Sequence, residues 1–545
     1  MNRLRRLLSA FVGPTAIAGY AGIVVAIIAL AVAESLTALR RSWRSPVLDV
    51  GDRMIDILAE YPALKERAID LFGTNDKLAL LIGIGVLLTI YAFVMGVVAI
   101  RKSLLVGTLM VGLFAIVGTW AALGRANSTI GAIVPTLVGA AVGAASLRFI
   151  SRRLAAPTTT DEPAAAWAPE GAAEGSADAT AAPSAANRRG FLGDAARLLG
   201  AFGAAAAVLG VGGRAIARSR FSAAGSRKNV TVPTAEEPLA GLPASVEVDV
   251  VGMPPFVTPN DDFYRIDTAL EVPQLSTSNY TLTVKGLVDN EIVLTWQDLL
   301  NRPMIERDVT LTCVSNNVGG HYIGNARWIG ARLDELLQEA GPRNGADMVV
   351  GRSVDGYECG FPLENALDGR DAMIAVAMNG EALPLEHGFP ARLVVPGLYG
   401  YVSATKWLTE IELTRFADFE HYWEQRGWAE RAPIKLQSRI DVPQGLAKVA
   451  AGNVAVAGVA WAQQVGIGAV EVSIDDGDWQ QAELAVEDTV DTWRQWVYQW
   501  AGATPGRHSL KVRATDRDGN VQTSERAEPI PDGASGHHQI VVIVE

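Results

Sequence analysis

The stretch DVTLTCVSNNVGGHYIGNARW, residues 308–328, decides how the second half of this chain is read. DVTLTC alternates like a strand and ends on a thiol; Ser, Asn and a Gly pair follow, residues that turn a chain rather than extend it. Cys313 is one of only two cysteines in 545 residues. A lone cysteine is more often a buried apolar filler than a ligand. Whether Cys313 is filler or ligand depends on what surrounds it.

Composition narrows the classes first. A hydrophobic share of 49% in so long a chain points to several domains and a membrane-bound portion. Two cysteines, Cys313 and Cys359, cannot supply a disulfide framework or a four-cysteine metal site. With 47 basic and 59 acidic residues the net charge is −12, which argues against nucleic acid as a partner.

Four runs, 14–33, 78–100, 104–123 and 130–147, are free of ionisable residues, and each approaches the roughly 20 apolar residues a crossing needs. Their lack of charge argues against a transporter and for an anchor. Arg3, Arg5, Arg6, Arg101, Lys102, Arg148, Arg152 and Arg153 place the flanks on the cytoplasmic side, while Arg40, Arg41 and Arg44 in the 34–77 loop follow that rule imperfectly. Within this loop, DRMIDILAEYPALKERAIDLF has helical periodicity and is expected to lie against the membrane or a neighbour. These features define a membrane anchor over 1–154.

Residues 155–187, rich in Ala, Pro, Thr and Glu, read as a disordered cytoplasmic linker. NRRGFLGDAARLLGAFGAAAAVLGVGG (187–213) then sets an arginine pair before a weakly apolar run. It resembles a twin-arginine export signal placed inside the chain, and it also fits a fifth membrane helix over 188–220. Either way the remainder is carried outside, and export of folded cargo implies a cofactor.

Beyond residue 230, strand-like runs at 280–288, 291–296, 308–313 and 391–397 mix with helical stretches at 296–303 and 331–341, an α+β pattern extending to about 430. From 431 to 545 only strands remain, at 453–461, 469–475, 493–500, 508–516 and 539–545, as in an immunoglobulin-like β-sandwich.

TPNDDFYRID (258–267), TLTCVSN (310–316), ARWIGARLDELL (326–337), NGEALPLEHGFPARLVVPGLYG (379–400) and KWLTEIEL (406–413), in this order, carry a resemblance to the sulfite oxidase family of molybdopterin enzymes. The resemblance implies a catalytic domain over 245–430, a dimerising sandwich over 431–545 and a molybdenum–molybdopterin cofactor. It makes Cys313 the metal ligand, a role that suits a soft thiolate, and leaves Cys359 as filler. Phe263, Tyr264, Arg265 and Asp267 resemble the segment lining the pterin and active site, although the family's usual Asn-His after the arginine is Ile266-Asp267 here. His387 and Arg392 match residues that hold the pterin phosphate, Lys406 matches a lysine in the same role, and Asp355 matches more weakly a pterin-contacting acid. Two arginines that follow the ligand in animal sulfite oxidases are Asn317 and Val318 here, and an Asp-Tyr pair beside the metal is Gly427-Trp428. Much of a sulfite-attracting pocket is therefore missing. Arg265 is left as the candidate to contact substrate and Trp428 as an apolar wall, with His321, Tyr322 and Asn325 as further lining candidates.

All six histidines lie at 321 or beyond, and no cysteine precedes 313, so the spans by themselves offer no haem or iron–sulfur ligands. No haem or iron–sulfur cluster is expected in the chain. Electrons would pass to or from a separate partner, a cytochrome or a membrane haem protein. The leading expectation is a multi-pass, lipid-embedded oxidoreductase facing outward that acts on a sulfite-like compound or on an S- or N-oxide; the alternative is a metal-free extracytoplasmic binding module.

Overall fold

The computed structural model describes residues 14–40, 42–59, 61, 76–125, 128–155 and 185–545. Residues 1–221 and 222–545 form two compact units.

The first unit is helical: α1 (Pro14–Thr37), α2 (Pro46–Ala59), α3 (Asp76–Arg101), α4 (Leu104–Leu123), α5 (Val134–Ala155) and α6 (Ala185–Phe221). Among the described residues, five helices are long and apolar enough to cross a membrane: Pro14–Thr37, Lys77–Arg101, Leu104–Leu123, Ile130–Leu154 and Gly200–Lys228. The four expected runs all fall inside them. The amphipathic helix of the first loop begins earlier than its periodicity suggested, at Pro46, and ends at Ala59; residues 60 and 62–72 of the expected stretch lie outside the described residues. So does most of the expected linker, 156–184, whereas 185–187 already belong to α6.

Helix α1 packs against α3, α5 and α6. Small residues let α6 approach closely: a Cβ on Gly213 would stand 2.5 Å from the Ser35 Cα, and one on Gly210 would stand 3.0 Å from the Ala31 Cα. Ser35 Oγ donates to the Leu209 carbonyl (3.3 Å), and Arg220 Nη1 donates to that of Ala38 (3.1 Å). The second half of α6 is thus packed closely against α1.

The second unit begins with an arm that periodicity does not reveal. Arg227 donates to the carbonyls of Ala382 (2.8 Å) and Leu383 (2.8 Å), and the Glu237 carboxylate bridges Arg307 and Arg332 at 2.8 Å each. The folded unit therefore starts at Ser222, ahead of the expected boundary at 245.

Two sheets build its first part. One has the order β3 (Met304–Thr312), β4 (Ile323–Arg332), β7 (Met373–Met378) and β8 (Glu381–Ala382), with β9 (Arg392–Val394) also paired to β7. The other runs β2 (Ile292–Thr295), β1 (Thr281–Gly286), β10 (Leu408–Thr414), β5 (Met348–Ser353) and β6 (Glu358–Pro362), with β1 and β10 parallel. Local chemistry fixes the helices between them. Thr295 and Asp298 form a capping box at the start of α7 (Trp296–Leu300). Helix α8 (Leu333–Ala340) buries Leu333, Leu336, Leu337 and Ala340 and stops at Gly341, whose φ of 71° suits glycine.

The strand-only C-terminal part forms two sheets. In one, β11 (Gln437–Val442), β13 (Gly452–Trp461), β17 (Arg494–Ala503) and β16 (Glu483–Leu484) are neighbours. The other contains β12 (Lys448–Val449), β19 (His538–Val544), β18 (Gly506–Asp516), β14 (Ile467–Ile474) and β15 (Gln480–Gln481). Val456 and Trp496 of the first sheet share a core with Val470, Leu510, Val512 and Val542 of the second.

The β3–β4 pair runs in continuous antiparallel register from Met304↔Ala331 to Thr312↔Ile323, so Cys313 opens the loop that closes it. Where β4 meets β7, a Cβ on Gly330 would stand 2.5 Å from the Ile374 oxygen and 2.7 Å from the Ala375 Cα. Replacing Gly330 by Val should therefore destabilise this unit by about 1–3 kcal/mol, the scale of overpacking. A lowered denaturation midpoint in the full chain, followed by tryptophan fluorescence, is the expected readout; an unchanged midpoint would show that the β4–β7 contact yields without strain.

Candidate active site

Cys313 is 7% exposed. Its N–H donates to the Tyr322 carbonyl (2.9 Å), and its own carbonyl accepts from the Asn316 N–H (3.0 Å). The Asn316 Oδ1 accepts in turn from the Tyr322 N–H at 2.9 Å, tying the two ends of the 313–322 loop together. An Asn that closes a turn through its side chain is the physical reason for the SNN sequence after the cysteine.

The 258–267 segment lies across this loop. Phe263 stacks on Tyr264 with ring centroids 5.2 Å apart and stands edge-on to Trp328 (5.9 Å) and His387 (5.5 Å). The Tyr264 phenol is held neutral chiefly by burial, reinforced by the nearby Cys313 and opposed by Arg392. Tyr264, Cys313 and Arg392 thus share one neighbourhood.

His387 is 2% exposed, and its Nε2 faces the Asn260 carbonyl at 2.9 Å. A carbonyl only accepts, so the ring proton sits on Nε2. Burial, aided by Arg392 and Lys406, pushes this imidazole down to about 4, and it is neutral at physiological pH.

Arg392 is 5% exposed and reaches only carbonyls: Leu393 at 3.3 Å, His387 at 3.2 Å and Ala404 at 3.4 Å. Its guanidinium lies 5.1 Å from the Trp328 ring centre. No carboxylate stands within ion-pairing distance of it among the described residues. Burial lowers its pKa to about 10, which still leaves it charged at neutral pH. Lys406, whose side chain is 10% exposed, donates to the Asp267 carboxylate (2.7 Å) and the Glu386 carbonyl (3.2 Å). Burial pushes its ammonium down to about 8, with Asp267 opposing the shift and Arg392 and Arg265 adding to it. The next residue, Trp407, is buried with a φ of 51°, a strained conformation for a bulky side chain, and its indole is held by the Leu385 carbonyl at 2.7 Å. That anchor aims Lys406 inward. Arg265 also bonds Asp267, at 2.8 Å from Nε and 3.4 Å from Nη2.

A buried guanidinium satisfied only by long carbonyl bonds is costly, and it suits a site completed by an anion. Arg392 and Lys406 fit the phosphate of a pterin cofactor, and Cys313 offers a thiolate to its metal.

Other sequence candidates divide. Trp428 packs 5.7 Å from Tyr401 and 6.3 Å from Trp423, and so belongs to an aromatic wall. Tyr322 joins the site through Tyr264, 6.5 Å away. Asp355 makes a local turn bond, accepting from the Tyr357 N–H at 3.2 Å, and no contact seen here brings it to Arg392 or Lys406. Asn325 does not line a pocket: it is fully buried, and its side chain binds Thr310 Oγ1 (3.0 Å) and the Phe256 carbonyl (3.1 Å). His321 is exposed and stands near Asp441 and His538 of the C-terminal part, the latter an imidazole that burial pushes down to about 4 and so keeps neutral. Cys359 is a buried thiol bonded to Thr405 Oγ1 at 3.0 Å, and burial pushes it up to about 11, in keeping with filler.

Sequence reasoning missed most of the aromatic wall. Tyr357 donates to the Tyr401 carbonyl (2.9 Å), Tyr401 donates to that of Ala429 (2.6 Å), and fully buried His421 stands 5.9 Å from the Tyr401 ring. The aromatic density of YGYV and HYW was the available signal.

This arrangement defines a molybdopterin-binding oxidoreductase domain. The family model described as "Oxidoreductase molybdopterin binding domain" matches residues 269–423. Mouse mitochondrial sulfite oxidase is 31% identical over 315 residues, covering 49% of this chain and 57% of that protein. An uncharacterized oxidoreductase of Bacillus subtilis, YuiH, is 34% identical over 154 residues, covering 28% of this chain and 74% of YuiH. The solved structure of the sulfane dehydrogenase SoxCD from Paracoccus pantotrophus aligns with a TM-score of 0.47 at 24% identity, covering 54% of this chain and 84% of that one. The chain belongs to the sulfite oxidase family of molybdopterin-dependent oxidoreductases. It spans little more than half the length of the mouse enzyme.

The lysine gives the site a pH signature. Because Lys406 loses its proton near 8, protein purified without cofactor should bind sulfate fully below that pH and several-fold more weakly at pH 9. Sulfate does not titrate in this range, so the slope reports the protein. Lys406→Met should weaken binding at pH 7 and flatten the profile; a wild-type profile that is flat from pH 7 to 9 would remove Lys406 from the anion site.

Proposed function

We propose that this protein is a membrane-anchored molybdopterin oxidoreductase whose second unit lies outside the cytoplasm, acting on a small sulfite-like compound or an S- or N-oxide. The observation that carries this reading is the uncompensated Arg392 beside Lys406, within the neighbourhood of Cys313 and Tyr264. When bound, the cofactor supplies oxygen-atom transfer coupled to a two-electron change at molybdenum. Arg392 and Lys406 would hold its phosphate, neutral His387 would pack beneath it without adding charge, Asp355 would help orient the pterin, and Cys313 would be the metal's protein ligand. Arg265, the more exposed cation, would meet substrate, with Trp428 and Tyr401 as the apolar wall.

Placement rests on the five long apolar helices and the arginine pair Arg188 and Arg189. The close fit of α6 on α1 supports a signal that stays in the membrane as a fifth span. The two-sheet C-terminal part we read as immunoglobulin-like and as the surface for a homodimer. Electrons would pass to or from a separate cytochrome or membrane haem protein, to it in oxidation of a sulfite-like compound and from it in reduction of an oxide.

The decisive measurement is the molybdenum content of the exported, detergent-solubilised protein, followed by anaerobic addition of sulfite, with absorbance reporting the two-electron reduction and electron paramagnetic resonance any one-electron intermediate. About one metal per chain is expected, with Arg392→Met holding under a tenth of that. Reduction by sulfite would establish a sulfite-type substrate, and a metal that sulfite leaves unchanged would turn the assignment to oxide reduction. Absence of metal from the wild type would favour the binding module. Replacing Arg188 and Arg189 by Lys should leave the second unit protected from external protease; normal exposure would show that export does not use the arginine pair.

A further inference from the structure

The charge count of the site goes further than its family membership. Three cationic side chains converge there, Arg265, Arg392 and Lys406, and one carboxylate, Asp267, is bonded directly to two of them. The side chain of Asp267 is 5% exposed and makes three hydrogen bonds to these cations: Arg265 Nε at 2.8 Å, Arg265 Nη2 at 3.4 Å and Lys406 Nζ at 2.7 Å. The remaining excess is two positive charges. A phosphate monoester carries about −1.5 to −2 at neutral pH. Once Arg392 and Lys406 face such a group, the excess is consumed, and Arg265 meets the substrate with its charge already matched by Asp267. Glu386, which is near enough to His387 to act on its ionisation, adds a further negative charge.

We infer that Asp267 is a specificity-determining residue that cancels the positive field at Arg265, so that the site selects an uncharged S- or N-oxide, or its uncharged reduced partner, over a dianionic oxyanion. This rests on the pterin reading of the site given above. Geometry supports a fixed role for the carboxylate. Asp267 grips the side of the guanidinium through Nε and Nη2 and leaves Nη1 outside that grip, so Arg265 can still donate a hydrogen bond to an oxide oxygen. A neutral oxide needs that donor and gains little from the charge. A dianion needs the charge, and here it meets a neutral pair.

The test uses the full-length, detergent-solubilised, molybdenum-loaded protein, with sulfate as an unreactive dianion and dimethyl sulfoxide as a neutral oxide. Dissociation constants come from quenching of tryptophan fluorescence, and molybdenum content is measured on each sample. Asp267→Asn should tighten sulfate roughly tenfold at low ionic strength, an advantage that fades towards 1 M salt, while the constant for dimethyl sulfoxide moves less than threefold. Asp267→Glu, which keeps the charge, should bind sulfate as the wild type does. Sulfate affinity unchanged in Asp267→Asn, or both ligands tightening alike, would overturn the inference while leaving the pterin reading intact. Loss of molybdenum in Asp267→Asn without tighter sulfate binding would also overturn it, because Asp267 would then serve to hold the cofactor. Wild-type protein without molybdenum would instead sink the pterin reading and the inference with it, because sulfate would then also reach Lys406, to which Asp267 is bonded.

Discussion

A buried guanidinium without a carboxylate is the constraint around which the second unit is arranged. Arg392 lies on β9, the short strand added to β7, and its head group reaches only backbone carbonyls and the face of Trp328. Left alone, such a charge opposes folding. The surrounding structure accepts it because the sheet that β9 joins through β7 has a core of its own: β3, β4 and β7 bury Val309, Leu311, Trp328 and Ala375 together. The stability of the sheet therefore offsets the cost of the buried charge, and the arrangement suits an anion that the chain itself does not provide.

The same sheet sets the relation between metal ligand and cations. Cys313 follows directly on β3, Arg392 starts β9, and β4 and β7 lie between them in the pairing order. Thiol and guanidinium are thus held by a rigid element, with a loop needed only for the last step to Cys313. Asn316 removes most of that loop's freedom by bonding the Tyr322 N–H. Trp407 does the same for Lys406 from the other sheet, where its unfavourable backbone angle is kept by the indole bond to Leu385.

How much of this could be read from the residues follows from the kind of signal each feature leaves. Apolar runs and alternating strands are local patterns, so the apolar runs and the nine expected strands of the second unit fell where expected, to within a few residues, although ten further strands, β4 to β8 among them, were not read. The arm at 222–244 has no periodicity; it docks through Arg227 and Glu237, whose partners lie far away in sequence, and no local rule locates such a contact. The cation site was legible only through the family resemblance, since HGFPAR and KW read by themselves as turn and strand-edge charges. Asn325 misled for the opposite reason. It stands close to Cys313 in the chain, but its β4 position turns it towards Thr310 and Phe256 and away from the cations.

A carboxylate bonded to a rim arginine, as Asp267 is to Arg265, would let a family share a cofactor site and still differ in substrate. The two inner cations are fixed by burial: Arg392 and Lys406 sit where water hardly screens them, and under the pterin reading a change at either would alter the fit of the cofactor. Arg265 lies at the exposed rim, its side chain 37% accessible, and its effective charge depends on whatever bonds it. One carboxylate two residues along the chain is enough to change that charge without moving a strand. Substrate preference can therefore drift at the rim while the buried cations and the thiol stay in place, and the departures at Asn317, Val318 and Trp428 lie on the same accessible side of that division.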